Sequence, residues 1–187
     1  MSKPRIFLIH GWGGGPQADW FPWATAELES RGYQVVAPQM PDTDAPVIGE
    51  WVPLLAQLVG QLRSTDIFVG HSIGCQTILR YLERGGEGRA DKVILVAPWV
   101  TLANLESDEM WAVADPWLKT PLDWGKIKPR SSQFLTIFSD NDPWVPYAEN
   151  SRFFRTQLNP QIITIHNRGH MSAEEGSSKL SELLQFI

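Results

Sequence analysis

The sequence predicts an α/β fold: a three-layer α/β/α sandwich on a six-stranded parallel sheet. Apolar, β-rich runs recur six times, at 5–10 (RIFLIH), 33–37 (YQVVA), 66–70 (DIFVG), 92–97 (KVILVA), 133–138 (QFLTIF) and 161–166 (QIITIH). Segments of helical character separate them. The runs are apolar throughout rather than alternating, as strands covered on both faces should be.

Each element follows from local signals. The first run ends in HGWGGG, residues 10–15, a glycine cluster at which backbone N–H groups can approach a ligand. No Lys-Ser/Thr follows it, so a P-loop is disfavoured, and His10 is expected to brace the loop rather than act as a base. Residues 18–32 read as a helix closed by Gly32, and residues 50–63 as a second, in which Pro53 must occupy the first turn or kink the helix. In IFVGHSIGCQT, residues 67–77, the third run gives way at Ser72 to helical spacing of Ile73, Ile78, Tyr81 and Leu82. Ser72 therefore sits on a strand-to-helix turn.

Gly70 and Gly74 flank Ser72 in the order G-x-S-x-G, the nucleophile elbow, where a strained turn exposes the serine and the helix N-terminus offers an amide to an oxyanion. A serine that only caps the helix is the competing reading. On the nucleophile reading, the amides of Trp12 and Ile73 form the oxyanion hole. His71 is expected to point away from the Ser72 hydroxyl into loop packing, and Cys75 to be a small packed helix residue. The fourth run leads into residues 99–129, proline-containing and weakly periodic, a candidate cover for the site.

An elbow serine needs a base and an acid, in the chain order serine, acid, histidine. After the fifth run, FSDNDPWVP offers Asp140 and Asp142. Asp142 is preferred because it directly precedes a turn proline, with a helix expected at 147–158. After the sixth run, HNRGHMS offers His166 and His170. His166 continues the strand alternation and is expected to be packed, whereas His170 follows Gly169 in a loop and is the better base. The loop after strand one must reach the serine after strand three, which fixes the strand order as 2-1-3-4-5-6 with the site at the switch point.

Composition narrows the partners. The chain has 187 residues, is 43% hydrophobic and shows no break in composition, so one domain over 1–187 is expected. A formal net charge of −5 without a basic run argues against nucleic acid and anionic membranes. The first apolar run is too short for a secretory signal and no run is long enough to span a bilayer, which implies a cytoplasmic protein. One cysteine excludes an internal disulfide and a cysteine-based metal site.

The chain resembles α/β-hydrolases that begin at the family's third strand. It is most similar to the small serine hydrolases of the retinoblastoma-binding-protein type, which include YdeN-like bacterial proteins. The likeness rests on GHSIG, on MPDTDAP at 40–46 followed by EWVPLL, on KVILVAPW, on DNDPWVP and on RGH near the end. It implies a triad of Ser72, Asp142 and His170, with no metal and no organic cofactor. The expected function is a carboxylesterase-like serine hydrolase that cleaves a small-molecule ester, thioester or amide through an acyl-enzyme. A protein-binding module on a hydrolase scaffold and an acyltransferase remain open; a protein partner is compatible with the sequence but not indicated by it. Trp99, Trp111, Trp117, Trp124 and Trp144 are candidates to line an apolar acyl pocket.

Overall fold

The computed structural model describes residues 3–187. Six parallel strands, β1 (Arg5–Ile9), β2 (Gln34–Val36), β3 (Ile67–His71), β4 (Ala90–Val96), β5 (Ser131–Ser139) and β6 (Gln161–Ile165), form one sheet in the order β2-β1-β3-β4-β5-β6. The α/β architecture and the strand order are those expected. Alternation of side chains divides the core into two layers. Phe7, Ile9, Phe68, Val93, Leu95 and Phe138 face one cluster with residues of α2 (Ile48–Val59), α3 (Ile73–Arg84) and α6 (Tyr147–Leu158). Ile6, Leu8, Ile67, Val69, Ile94 and Val96 face the other, with residues of α1 (Phe21–Ser30) and with Leu180 and Leu183 near the C-terminus. The central strands are thus apolar on both faces.

The helices differ from expectation where glycine and proline act. α2 ends at Val59 rather than near Arg63, because Gly60 takes φ +57° and breaks the helix there. Pro53 lies in its second turn, where the carbonyl of Gly49 loses its usual partner. Residues 99–129 are more regular than their prolines suggest. They contain α4 (Asp108–Lys119), capped by the Ser107 hydroxyl accepting from the amide of Met110, and the short α5 (Trp124–Ile127). Among the described residues, no helix is long and apolar enough to cross a membrane.

Candidate active site

At the carboxyl end of β3 the chain turns into α3 through Ser72, whose φ of +53° is strained for a residue with a Cβ. Its two glycines are sterically required. A Cβ on Gly74 would stand 2.2 Å from the Ile9 carbonyl oxygen, and one on Gly70 2.8 Å from the backbone of Cys75 and Gly74. β1 and α3 approach so closely that only glycine fits between them. Cys75 is fully buried, its Sγ toward the carbonyls of Gly70 and Val96, and burial pushes its thiol well up.

The loop after β5 holds Asp142 in a closed set of hydrogen bonds. Its Oδ1 accepts from the amides of Trp144 and Val145, each at 3.0 Å, and its Oδ2 accepts from Nδ1 of His170 at 2.7 Å. With Nδ1 donating, neutral His170 presents a bare Nε2. The side chains are 2% and 10% exposed. The alternative candidates form a second pair: His166 Nδ1 lies 2.5 Å from Asp140 Oδ2, with the imidazole 79% exposed. His166 is therefore not the packed strand residue expected. β6 ends at Ile165 and is an edge strand, so the next side chain leaves the sheet. Hydrogen bonds from the Asn167 amide and from His166 hold the Asp140 carboxyl below its usual range.

His71 packs against the loop that carries His170. Its ring packs 4.9 Å from that of His170, and its Nε2–H donates to the His170 carbonyl at 2.8 Å. The His170 amide donates to Glu175 Oε2. The backbone on both sides of the His170 side chain is thus held, by His71 and by Glu175, which no sequence pattern marked. Burial first, and the neighbouring His170 charge second, lower His71 to a pKa of about 4, so it stays neutral while making this bond.

His10 does brace the glycine loop. Its Nε2 accepts from the amide of Met40, so Nδ1 carries the proton and donates to the Gly11 carbonyl, and burial lowers its pKa. The segment 40–46 holds the same loop from outside. Thr43 accepts from the Gly13 amide, and the Trp12 indole donates to the Asp44 carbonyl. Among the described residues, the backbone N–H groups of Trp12 and Ile73 have no protein acceptor.

Ser72, His170, Trp12 and Ile73 all line one cavity of about 560 Å³, a size suited to a small-molecule ligand. Trp99, Leu102, Leu105, Met110 and Trp144 give it an apolar wall, and Asp19 and Glu174 are the acidic side chains in its lining. Two lining segments are tied together by Asp19 Oδ1, which accepts from the Ala173 amide. Of the five tryptophans expected in the pocket, only Trp99 and Trp144 line it. Trp117 is buried in the core with its indole donating to Pro46, Trp124 packs edge-on against Phe153 and Phe154, and Trp111 lies half-buried on α4 outside the cavity. Among the described residues, no group of three or more His, Cys, Asp or Glu side chains has the arrangement of a metal site.

The serine hydrolase family matches residues 6–187. The chain is 27% identical to YdeN of Bacillus subtilis over 188 residues, which cover 96% of this chain and 92% of that one. The crystal structure of the same relative superposes with a TM-score of 0.89 over 99% of this chain and 96% of that chain, at 25% identity. The serine hydrolase RBBP9 of Rattus norvegicus is 27% identical over 179 residues, covering 94% of this chain and 91% of the relative.

Proposed function

The chain belongs to the serine hydrolase family and is a hydrolase, and from that premise we propose that it cleaves a small-molecule ester, thioester or amide through Ser72, His170 and Asp142. The observation that carries this reading is the buried 2.7 Å hydrogen bond from His170 Nδ1 to Asp142, at the cavity that the strained Ser72 also lines. Asp142 fixes the tautomer of His170 and favours the imidazolium that forms during reaction. His170 Nε2 takes the proton of the Ser72 hydroxyl as Oγ adds to the substrate carbonyl. The negative charge passes to the carbonyl oxygen, which accepts from the amides of Trp12 and Ile73.

The tetrahedral adduct collapses as His170 returns the proton to the departing alcohol, thiol or amine, leaving an acyl group on Ser72. Water, deprotonated by the same imidazole, then adds to the acyl carbonyl; the adduct collapses with cleavage of the bond from Ser72 Oγ to the acyl carbon, His170 returns the proton to Oγ, and the carboxylic acid leaves. The segment 99–129 supplies Trp99, Leu102, Leu105 and Met110 to the apolar wall and serves as the cover over the acyl group. No step calls on a metal or an organic cofactor.

Labelling with a fluorophosphonate probe tests the assignment. The native protein should be modified at Ser72 alone, and Ser72→Ala should not be modified. Labelling that persists in Ser72→Ala would refute the nucleophile, and a folded native protein that stays unlabelled would point to a scaffold used for binding.

A further inference from the structure

β5 and β6 pair in register as far as Ser139 and Ile165, and the Asp140 amide then donates to the Ile165 carbonyl at 3.1 Å. The sheet ladder ends there, yet the two chains beyond it carry Asp142 and His170. Side chains of the first segment continue the pairing by accepting from successive backbone amides of the second. The Asn167 amide donates to Asp140 Oδ1 at 2.9 Å, the Arg168 amide to Ser139 Oγ at 3.1 Å and the Gly169 amide to Asn141 Oδ1 at 2.9 Å. The next rung is the bond from His170 Nδ1 to Asp142 itself.

Asn141 makes the rung adjoining that bond: it precedes Asp142 in the chain and holds the residue that precedes His170. Its Oδ1 is fixed from a second side by the hydroxyl of Ser139, which donates to it at 2.8 Å and is 1% exposed. The Gly169 N–H demands an acceptor, so the oxygen and not the nitrogen of the Asn141 amide faces the base-bearing loop. Nδ2 makes no hydrogen bond among the described residues, so the acceptor alone is used. The loop needs such a hold. Gly169 and Met171, on either side of His170, have φ of +50° and +58°, a left-handed backbone that is strained at Met171 and that the segment would not keep unaided.

We propose that Asn141 is a positioning residue of the reaction, its side-chain carbonyl setting the base-bearing loop against the acid-bearing loop. It touches neither substrate nor the reacting atoms and acts through the backbone of Gly169 and His170. Without it, Gly169 drifts from the acid loop, and His170 loses its alignment on Asp142 and on the Ser72 hydroxyl together. The inference rests on the assignment of Ser72, His170 and Asp142, and it differs from a purely structural role, in which Asn141 would stabilise an exposed turn and leave the chemistry alone.

The test uses the full chain and a nitrophenyl ester. Asn141→Ala should lower kcat by about 10 to 100 fold, as a misplacement of about 1 Å implies, with KM kept within about threefold because ground-state binding is untouched. The low-field proton resonance of His170 Nδ1–H, expected in the native protein, should broaden in Asn141→Ala through faster exchange with water. Asn141→Asp keeps an acceptor oxygen at the same reach and should restore both the resonance and kcat, the latter to within about fivefold of native. A native kcat in folded Asn141→Ala, whatever its thermal midpoint, a change confined to KM, or an Asn141→Asp no better than Asn141→Ala would each overturn the role. If Asn141→Ala does not fold, Asn141→Ser, whose hydroxyl stops short of the Gly169 amide, is read in the same way. An inactive His170→Ala beside a native Asn141→Ala would sink this inference alone, whereas a fully active His170→Ala would sink the base assignment and this inference with it.

Discussion

Two aspartate–histidine pairs stand past the ends of β5 and β6, and burial separates their roles. Asp140 and His166 hold their hydrogen bond in water, where such a pair contributes little. Asp142 and His170 hold theirs out of water, at the serine-bearing cavity. Asp142→Asn and His170→Ala should each lower turnover of an activated ester by about 10³ to 10⁴ fold, whereas Asp140→Asn and His166→Ala should leave it nearly unchanged. A damaging Asp140→Asn would mean that the acid loop has been misassigned.

That Asp142 and His170 stand in loops was legible, because proline after the one and glycine before the other mark loops. The part played by His71 was not, since contact with a loop 99 residues away leaves no local pattern. His71 also makes a prediction about acid stability. Its pKa is near 6.5 in the unfolded chain and about 4 in the folded one, so between these values the unfolded chain binds the extra proton. The stability contributed by neutral His71 is therefore complete above about pH 6.5 and is lost as pH falls toward 4, by about 3 kcal/mol in all. Proton NMR should show the ring carbon protons of His71 unchanged from pH 8 to about 5; a midpoint near 6.5 would contradict its burial.

At the scale of the element, the strand–serine–helix turn is fixed by backbone contact rather than by side-chain pattern. Gly74→Ala would drive a Cβ into the carbonyl of Ile9, and neither β1 nor α3 can retreat from the core they share. Chemical denaturation should show a loss of more than about 4 kcal/mol or failure to fold. Gly49→Ala, in the first turn of α2 with open space around its Cβ, should instead raise stability by a few tenths to about 1 kcal/mol. A mild Gly74→Ala would remove the packing account of the motif.

The same scale shows what proline conceals in a sequence. Ser107, Asp108 and Glu109 spell a helix start, yet Pro116 and Pro121 obscure the helix that follows. Pro116 is tolerated because its missing N–H costs one bond in a helix otherwise capped and packed through Ala114 and Trp117. The helix at 147–158 carries no internal proline and was legible to its ends.

At the scale of the whole molecule, the cleft is assembled from segments far apart in the chain: the glycine loop, the elbow, residues 99–110, Trp144 and residues 170–174. The parallel topology was legible because alternation of strand and helix and the required meeting of two loops leave few arrangements. Which tryptophans reach the cleft was not, because that depends on the rotation of α4 and the path of the chain after it.

The resulting lining predicts a preference among substrates. The wall formed by Trp99, Leu102, Leu105, Met110 and Trp144 is apolar, so each methylene of an acyl chain that enters it should add about 0.8 kcal/mol of transition-state binding, roughly fourfold in kcat/KM. Nitrophenyl esters from acetate to hexanoate should therefore rise in kcat/KM until the cavity is filled. A monoester of a dicarboxylic acid, with its free carboxylate carried into this wall, should fall well below the neutral ester of equal length, since neither lysine nor arginine is among the described residues that line the cleft. Met110→Trp should shorten the series, lowering the hexanoate rate while sparing acetate. A series that is flat, or one in which the free carboxylate is preferred, would show that the acyl group does not lie against Trp99, Leu102, Leu105 and Met110.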